Sequence, residues 1–314
     1  MSGETARWGE SREWGEGGCT AGAGDGDEPW AYFDFAAYDH PFRSTHPALG
    51  PDRGALGNWR GTGAPPRLWF LSGHEGSVTR SLAEAHPVGI LARPGNAVHR
   101  QAWRYDVWGI DNGAYAPANP DRPFDLDGYL RWLEGLDPDR RATCLFATAP
   151  DRWASFALTW ERSRPALAAI RDLGYPVGLC AQDGMEAWLA EERIPWAEFD
   201  TLFVGGSDAW RSGPGLRAVL TAAQLHVKWV HVGRVSTLGG LRWAVQLQAH
   251  SVDSTLLAHG PRANGPILAS FLERVLRQPP LPFWGRAPRE GRYLGVDPGD
   301  DVFWWGRSEQ YCDR

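Results

Sequence analysis

From residue 68 onward the chain alternates short, continuously apolar runs with longer amphipathic ones. The apolar runs are "LWFLSG" (68–73), "VGILA" (88–92), "VWGID" (107–111), "CLFATAPD" (144–151), "PVGLCAQDG" (176–184), "TLFVGGSD" (201–208), "KWVHVGR" (228–234) and "SVDSTLL" (251–257). Continuous hydrophobicity, without the in-out alternation of a half-exposed sheet, is the mark of strands covered on both faces, as in parallel sheets. Between them lie stretches with helical spacing: "SVTRSLAEAH", "DLDGYLRWLEGL", "WERSRPALAAIRDLG", "MEAWLAEE", "PGLRAVLTAAQ" and "LGGLRWAVQLQA". In the third of these Pro165 suits a first-turn position and Gly174 a helix stop. Eight strand candidates alternating with helices over roughly 210 residues predict a (β/α)8 TIM barrel. A doubly wound open sheet is the alternative, and strand count alone separates the two weakly.

The ends of the chain read differently. Residues 1–28 are rich in Gly and acidic residues and poor in branched apolar ones, which predicts a disordered segment. An irregular lead-in, 29–66, precedes the barrel at 67–278, and prolines and glycines in "RQPPLPFWGRAPREG" predict an irregular C-terminal arm over 279–314. No run approaches the ~18 apolar residues of a membrane span. The N-terminus has neither the basic start nor the apolar centre of a signal peptide, so a cytoplasmic location is expected.

Composition narrows the chemistry. The four cysteines, Cys19, Cys144, Cys180 and Cys312, form no C-x-x-C pair, which argues for reduced structural thiols and no metal site. Most of the 18 tryptophans are expected to be packing residues. A formal charge of −6 argues against a wide basic surface for nucleic acid, while Arg211, Lys228, Arg234, Arg242 and Arg262 are candidates for a local backbone groove or for pairing with nearby carboxylates.

In a barrel the active face lies at the strand C-termini, and there this sequence repeatedly places polar residues. Strand three ends in Asp111, four in Asp151, five in Gln182 and Asp183, six in Gly205 and Gly206, seven in Gly233 and Arg234, and strand eight carries Asp253. Each has a structural reading too: Asp111 with Asn112-Gly113 as an Asx turn, Asp151 as the cap of a helix starting in "RWASFALTW". Asp253 stands apart, because a carboxylate inside "SVDSTLL" is costly without a partner or a task. Carboxylates facing one another across a barrel mouth suit nucleophilic and acid/base work at a glycosidic carbon. The glycine pair would let a flat ring approach backbone N–H groups, and Gln182 offers both donor and acceptor to a base edge.

These residues, in this order, resemble the tRNA-guanine transglycosylase superfamily. "IDNGAY" is similar to that family's D-S-G-G-F motif, "TAPD" to its F-D-E-C region, "LCAQDG" to I-V-Q-G-G, "FVGGSD" to the G-G-L-A-V-G-E loop, "KWVHVGR" to R-Y-L-M-G-V-G and "HSVDSTLL" to D-M-F-D-C-V-L-P. The resemblance covers about residues 107 to 260. It implies Asp253 as the nucleophile at C1′ of a nucleoside and Asp111 as the acid/base for the leaving and entering bases. Asp151, Gln182, Gly205 and Gly206 would hold the purine, with His231, Gly233 and Arg234 lining the pocket. It further implies a pentosyltransferase exchanging guanine for a 7-deazaguanine base without metal or other cofactor. The chain departs from the tRNA enzymes in carrying only Cys312 after Asp253, too few cysteines for their zinc module, and in having His250 and "AHGP" where they have an Asp and a Pro-Thr-Arg. That departure resembles the zinc-free deazapurine-DNA transglycosylases of phages and bacteria, so the expected partner is DNA in preference to tRNA.

Two other functions compete. A metal-dependent hydrolase would need clustered histidines, which the first strand lacks. A non-catalytic purine or nucleic-acid binder would have no need of both Asp111 and Asp253.

Overall fold

The computed structural model describes His46, residues 68–115 and residues 122–277. The expected disordered segment, nearly all of the lead-in and the C-terminal arm lie outside the described residues, as do Cys19 and Cys312.

The described chain is a closed (β/α)8 barrel. Its strands are β1 (Trp69–Ser72), β2 (Val88–Ala92), β3 (Trp108–Ile110), β4 (Cys144–Thr148), β5 (Val177–Ala181), β6 (Thr201–Val204), β7 (Trp229–Val232) and β8 (Ser251–Ser254). They pair in parallel in chain order, and β1 closes on β8 in the register Leu71 to Asp253. That closing pair rules out the open sheet. The helices are α1 (Ser77–Ala85), α2 (Leu126–Glu134), α3 (Phe156–Asp172), α4 (Met185–Ala190), α5 (Asp208–Ser212), α6 (Pro214–Leu225), α7 (Leu238–Gln246) and α8 (Pro261–Arg277). A 3-10 helix over Val98–Arg104 connects β2 to β3 in place of an α-helix.

Continuous burial along the strands explains their continuous hydrophobicity: one set of side chains fills the barrel and the other packs on the helices. The inner set includes Trp69, Leu71, Leu91, Leu145, Phe146 and Trp229, with Phe203 against them. Gly109 belongs to this layer, since a Cβ there would come within 2.9 Å of the Phe146 ring. Burying one such aromatic or Leu side chain stabilises by about 1.5–3 kcal/mol, so the inner layer holds the strand register firmly. His46, though distant in sequence, is buried with its Nε2 2.6 Å from Leu145 O and its ring stacked on Trp229.

Several sequence expectations need correction. Pro165 is not in a first turn. Ser155 caps α3 by accepting from Leu158 N, so the helix begins at Phe156 and Pro165 falls well inside it, on the exposed face where a lost backbone bond is most easily tolerated. Asp151 is accordingly not the cap. Gly174 does end the helix, with φ +84 just past it. Helix α8 escaped the periodicity reading because "NGP" interrupts it. Its buried face is Gly265, Leu268, Leu272 and Val275, and Gly265 is required by contact, because a Cβ would meet Val78 of α1 at 2.5 Å.

The cysteines and tryptophans match expectation where described. Cys144 and Cys180 are buried free thiols, and Trp69, Trp108, Trp210 and Trp229 are buried, whereas Trp103 and Trp153 are exposed. Among the described residues no helix is long and apolar enough to cross a membrane.

Candidate active site

The polar strand ends meet at the C-terminal mouth of the barrel. Asp111 follows β3 directly and extends its ladder, its N–H donating to Ala92 O at 2.8 Å. Its Oδ1 accepts from Gly113 N at 2.9 Å, so the Asx turn is real, and Gly113 takes the positive φ of +71 that this turn requires. The turn leaves the carboxyl in a poorly hydrated place. Burial, reinforced by the negative charges of Asp151 and Asp253 and opposed by the Gly113 N–H, pushes Asp111 up to about 6. Asp151 and Asp253 are thus each within electrostatic reach of Asp111.

Asp151, just past β4, is the hub of a network. Its Oδ1 accepts from Asn112 Nδ2 at 3.1 Å and its Oδ2 from Gln182 Nε2 at 2.6 Å. Burial raises its pKa despite these donors. Asn112, read in the sequence only as a turn former, is buried and also bonds Ala149 O at 2.9 Å, riveting the ends of β3 and β4 together. Gln182 is fully engaged as well, its Oε1 accepting from Ala154 N at 2.9 Å and Gly206 N at 2.8 Å. This corrects the picture of free backbone donors at the glycine pair, since Gly205 N donates to Ala181 O and Gly206 N to Gln182. The two glycines answer to packing. A Cβ on Gly205 would lie 2.6 Å from Gln182 Nε2, and one on Gly206, where φ is +78, 2.5 Å from the Trp210 ring.

On the opposite side of the ring β8 carries Asp253 inward, with its side chain 15% exposed. Asp253 Oδ1 lies 3.0 Å from His231 Nε2, and Asp253 O accepts from Val235 N at 2.7 Å. His231 is not a pocket wall. It is wholly buried beneath Asp253, with its ring against Phe146 and Phe203, and burial lowers its pKa. Gly233 sits beside the pair: a Cβ there would come 3.2 Å from Asp253 Oδ1.

Of the five basic candidates, Arg234 reaches the mouth, in the left-handed conformation (φ 61), with NH2 donating to Gly206 O at 2.6 Å and 3.7 Å from Asp208. Arg211 and Lys228 are buried and cannot line an open groove. Arg211 donates to Gly233 O at 2.8 Å, while Lys228, just before β7 at the far end of the barrel, donates to Phe199 O at 2.8 Å. Arg242 lies in α7 and Arg262 in the first turn of α8. Asp183 is occupied too, holding Ser207 through its N–H at 2.8 Å and its hydroxyl at 2.5 Å.

Two exposed aromatics at the rim were not singled out from sequence. Tyr115 and Trp153, 54% and 43% exposed, meet edge to face at 6.3 Å, each close in sequence to one of the mouth carboxylates. Exposure is the signal, and sequence does not carry it. Among the described residues no group of three or more His, Cys, Asp or Glu is placed to hold a metal ion.

Fold and site together define a (β/α)8 barrel with a carboxylate-lined C-terminal mouth. Neither a scan against known protein-family models nor a comparison with curated proteins gives a match.

Proposed function

We propose that this protein is a base-exchange transglycosylase, a pentosyltransferase that replaces guanine in a nucleic acid, DNA in preference to tRNA, with a 7-deazaguanine base. The observation that carries the reading is the meeting, at one barrel mouth, of two carboxyl groups in unlike settings: Asp253, bonded at Oδ1 to His231, and Asp111, raised to about 6 by burial. Paired carboxyl groups whose surroundings differ in this way are how acid and nucleophile are assigned within one site. The resemblance of the six sequence motifs to the guanine transglycosylases points the same way.

In this reading Asp253 attacks C1′ of the target nucleoside. The C1′–N9 bond breaks, its electron pair passes to the departing guanine, and the proton of Asp111 neutralises that charge. An incoming 7-deazaguanine then returns its N9 proton to Asp111 and displaces Asp253 from C1′, so two inversions leave the sugar configuration retained. Asp151 suits the purine edge. A carboxylate has about four lone-pair sites, and the amides of Asn112 and Gln182 do not exhaust them, so Asp151 can also accept from the N1–H and N2–H donors of guanine. The rim pair Tyr115 and Trp153 offers exposed rings for stacking.

The test incubates the full chain with guanine-containing DNA and, separately, tRNA, together with labelled 7-cyano-7-deazaguanine. The expected result is label in DNA, none with Asp253→Asn, and a rate lower by orders of magnitude with Asp111→Asn while both variants stay folded. If neither polymer takes up label and no covalent adduct forms, the reading is wrong.

A further inference from the structure

Beneath Asp253 runs a hydrogen-bond chain that satisfies every one of its donors when it runs in one direction. Trp229 Nε1 lies 2.8 Å from Ser251 Oγ, Ser251 Oγ lies 2.8 Å from His231 Nδ1, and His231 Nε2 lies 3.0 Å from Asp253 Oδ1. An indole N–H can only donate, so Ser251 Oγ accepts from Trp229; the hydroxyl has a second lone pair, but among the described residues the acceptor shown for its own buried proton is His231 Nδ1. With His231 Nδ1 accepting, no buried donor in the chain is left without a partner. In that arrangement the His231 proton sits on Nε2 and is donated to Asp253 Oδ1. Every link lies on the inner face of β7 or β8, in the register that sets His231 beside Ser251.

The surroundings hold this arrangement in place. The His231 ring is wedged between Phe146, at 4.7 Å between centroids, and Phe203, at 4.5 Å, so it cannot turn over without displacing the barrel interior. Trp229 is fixed in turn by the stacked rings of His46 at 4.7 Å and His250 at 4.8 Å. At the other end, Oδ1 of Asp253 is engaged, while Oδ2 meets no hydrogen-bond donor among the described residues. One oxygen is held and the other keeps its lone pairs.

We propose that Trp229, Ser251 and His231 are positioning residues: they lock His231 in the neutral Nε2–H tautomer, which grips Asp253 by Oδ1 and presents Oδ2 as the attacking oxygen. A neutral donor is the useful choice. A charged imidazolium would hold the carboxylate as firmly but would draw off the charge that the attack needs, whereas a neutral N–H orients it and leaves it nucleophilic. The use of the chain rests on the transglycosylase reading, but its existence does not.

Two measurements separate the claims. Nitrogen-15 NMR of histidine-labelled full-length protein at pH 7 should show His231 neutral and protonated at Nε2, and Ser251→Ala should bring in the Nδ1–H form by removing the hydroxyl that donates to Nδ1. A doubly protonated His231, an Nδ1–H tautomer in the wild type, or no change in Ser251→Ala would overturn the chain, whatever the enzyme does. In the base-exchange assay, His231→Leu should lower kcat about a hundredfold at unchanged KM, the scale expected when a reacting atom is displaced by about 1 Å. His231→Gln retains an N–H toward Asp253 and should recover most of the loss. Equal losses in the two variants would overturn the positioning role. The expected tautomer together with a polymer that never takes up label would instead leave the chain standing and sink the transglycosylase reading.

Discussion

Asp111→Asn should make the protein more stable at neutral pH while removing the proton carrier of the proposed reaction. The substitution keeps an oxygen at Oδ1 to accept from Gly113 N, so the Asx turn survives and only the ionisable group is lost. In the folded chain Asp111 titrates at about 6, against 3.8 for an unperturbed carboxyl, with burial the first cause. A raised folded-state pKa means that the native state resists ionisation. Below the unfolded value both states hold the proton and nothing is lost; as pH rises from about 4 through 6, the unfolded chain releases its proton more readily and stability falls. At 1.36 kcal/mol per pKa unit, a rise from 3.8 to about 6 costs the wild type about 3 kcal/mol above pH 7. The assay is urea denaturation of both proteins from pH 4 to pH 8, which cancels every group they share. The stability difference should be near zero at pH 4, grow through pH 5 and 6, and level off by pH 7 in favour of Asn. A flat difference, or one favouring the wild type at pH 7.5, would refute the burial of this carboxyl and remove the raised pKa on which its proposed role rests.

Three further outcomes follow from the same contacts. Gln182→Leu strands Ala154 N and Gly206 N and removes a donor from Asp151, so it should cost about 3 kcal/mol and lower the melting temperature by several degrees, read by calorimetry. Gly206→Ala should destabilise by about 1–3 kcal/mol, because φ is +78 and the new Cβ meets the Trp210 ring; a neutral effect would mean that the loop after β6 relaxes freely. His46 and His250 are both lowered by burial to about 4, so the unfolded chain takes up protons first; measured against a variant carrying His46→Gln and His250→Gln, which shares Asp111 and every other titrating group, wild-type stability should decline as pH falls from 6.5 toward 4, and a constant difference would place both rings in water.

The strand ends show how far the sequence could be read. Eight apolar runs became eight strands, yet every run but the second overshot into the loop beyond, so that Asp111, Asp151, Gln182, Gly205 and Gly233 lie past their strands, and of the predicted carboxylates Asp253 alone is inside one. Apolarity marks what is buried, and the first loop residues of a barrel mouth are buried too. Asp111, Asp151, Gln182 and Asp253 were picked out because polar residues at the end of buried runs are conspicuous. Asn112 was passed over because Asn-Gly is a sufficient account of a turn, and its second task, bridging to Ala149 and Asp151, depends on residues far along the chain.

The sequence by itself determined the alternation of strands and helices, and which polar groups the strand ends would carry, because both follow from local periodicity and from the cost of burying charge. Tertiary structure decided closure, since the pairing of β1 with β8 joins residues at opposite ends of the barrel segment. It also decided partners: Gln182 could have faced a ligand, yet it is bonded to Asp151 and Gly206, and His231 lies under Asp253 rather than beside a pocket. A side chain's neighbours across a barrel are set by register and stagger between strands, quantities that no local window of sequence contains.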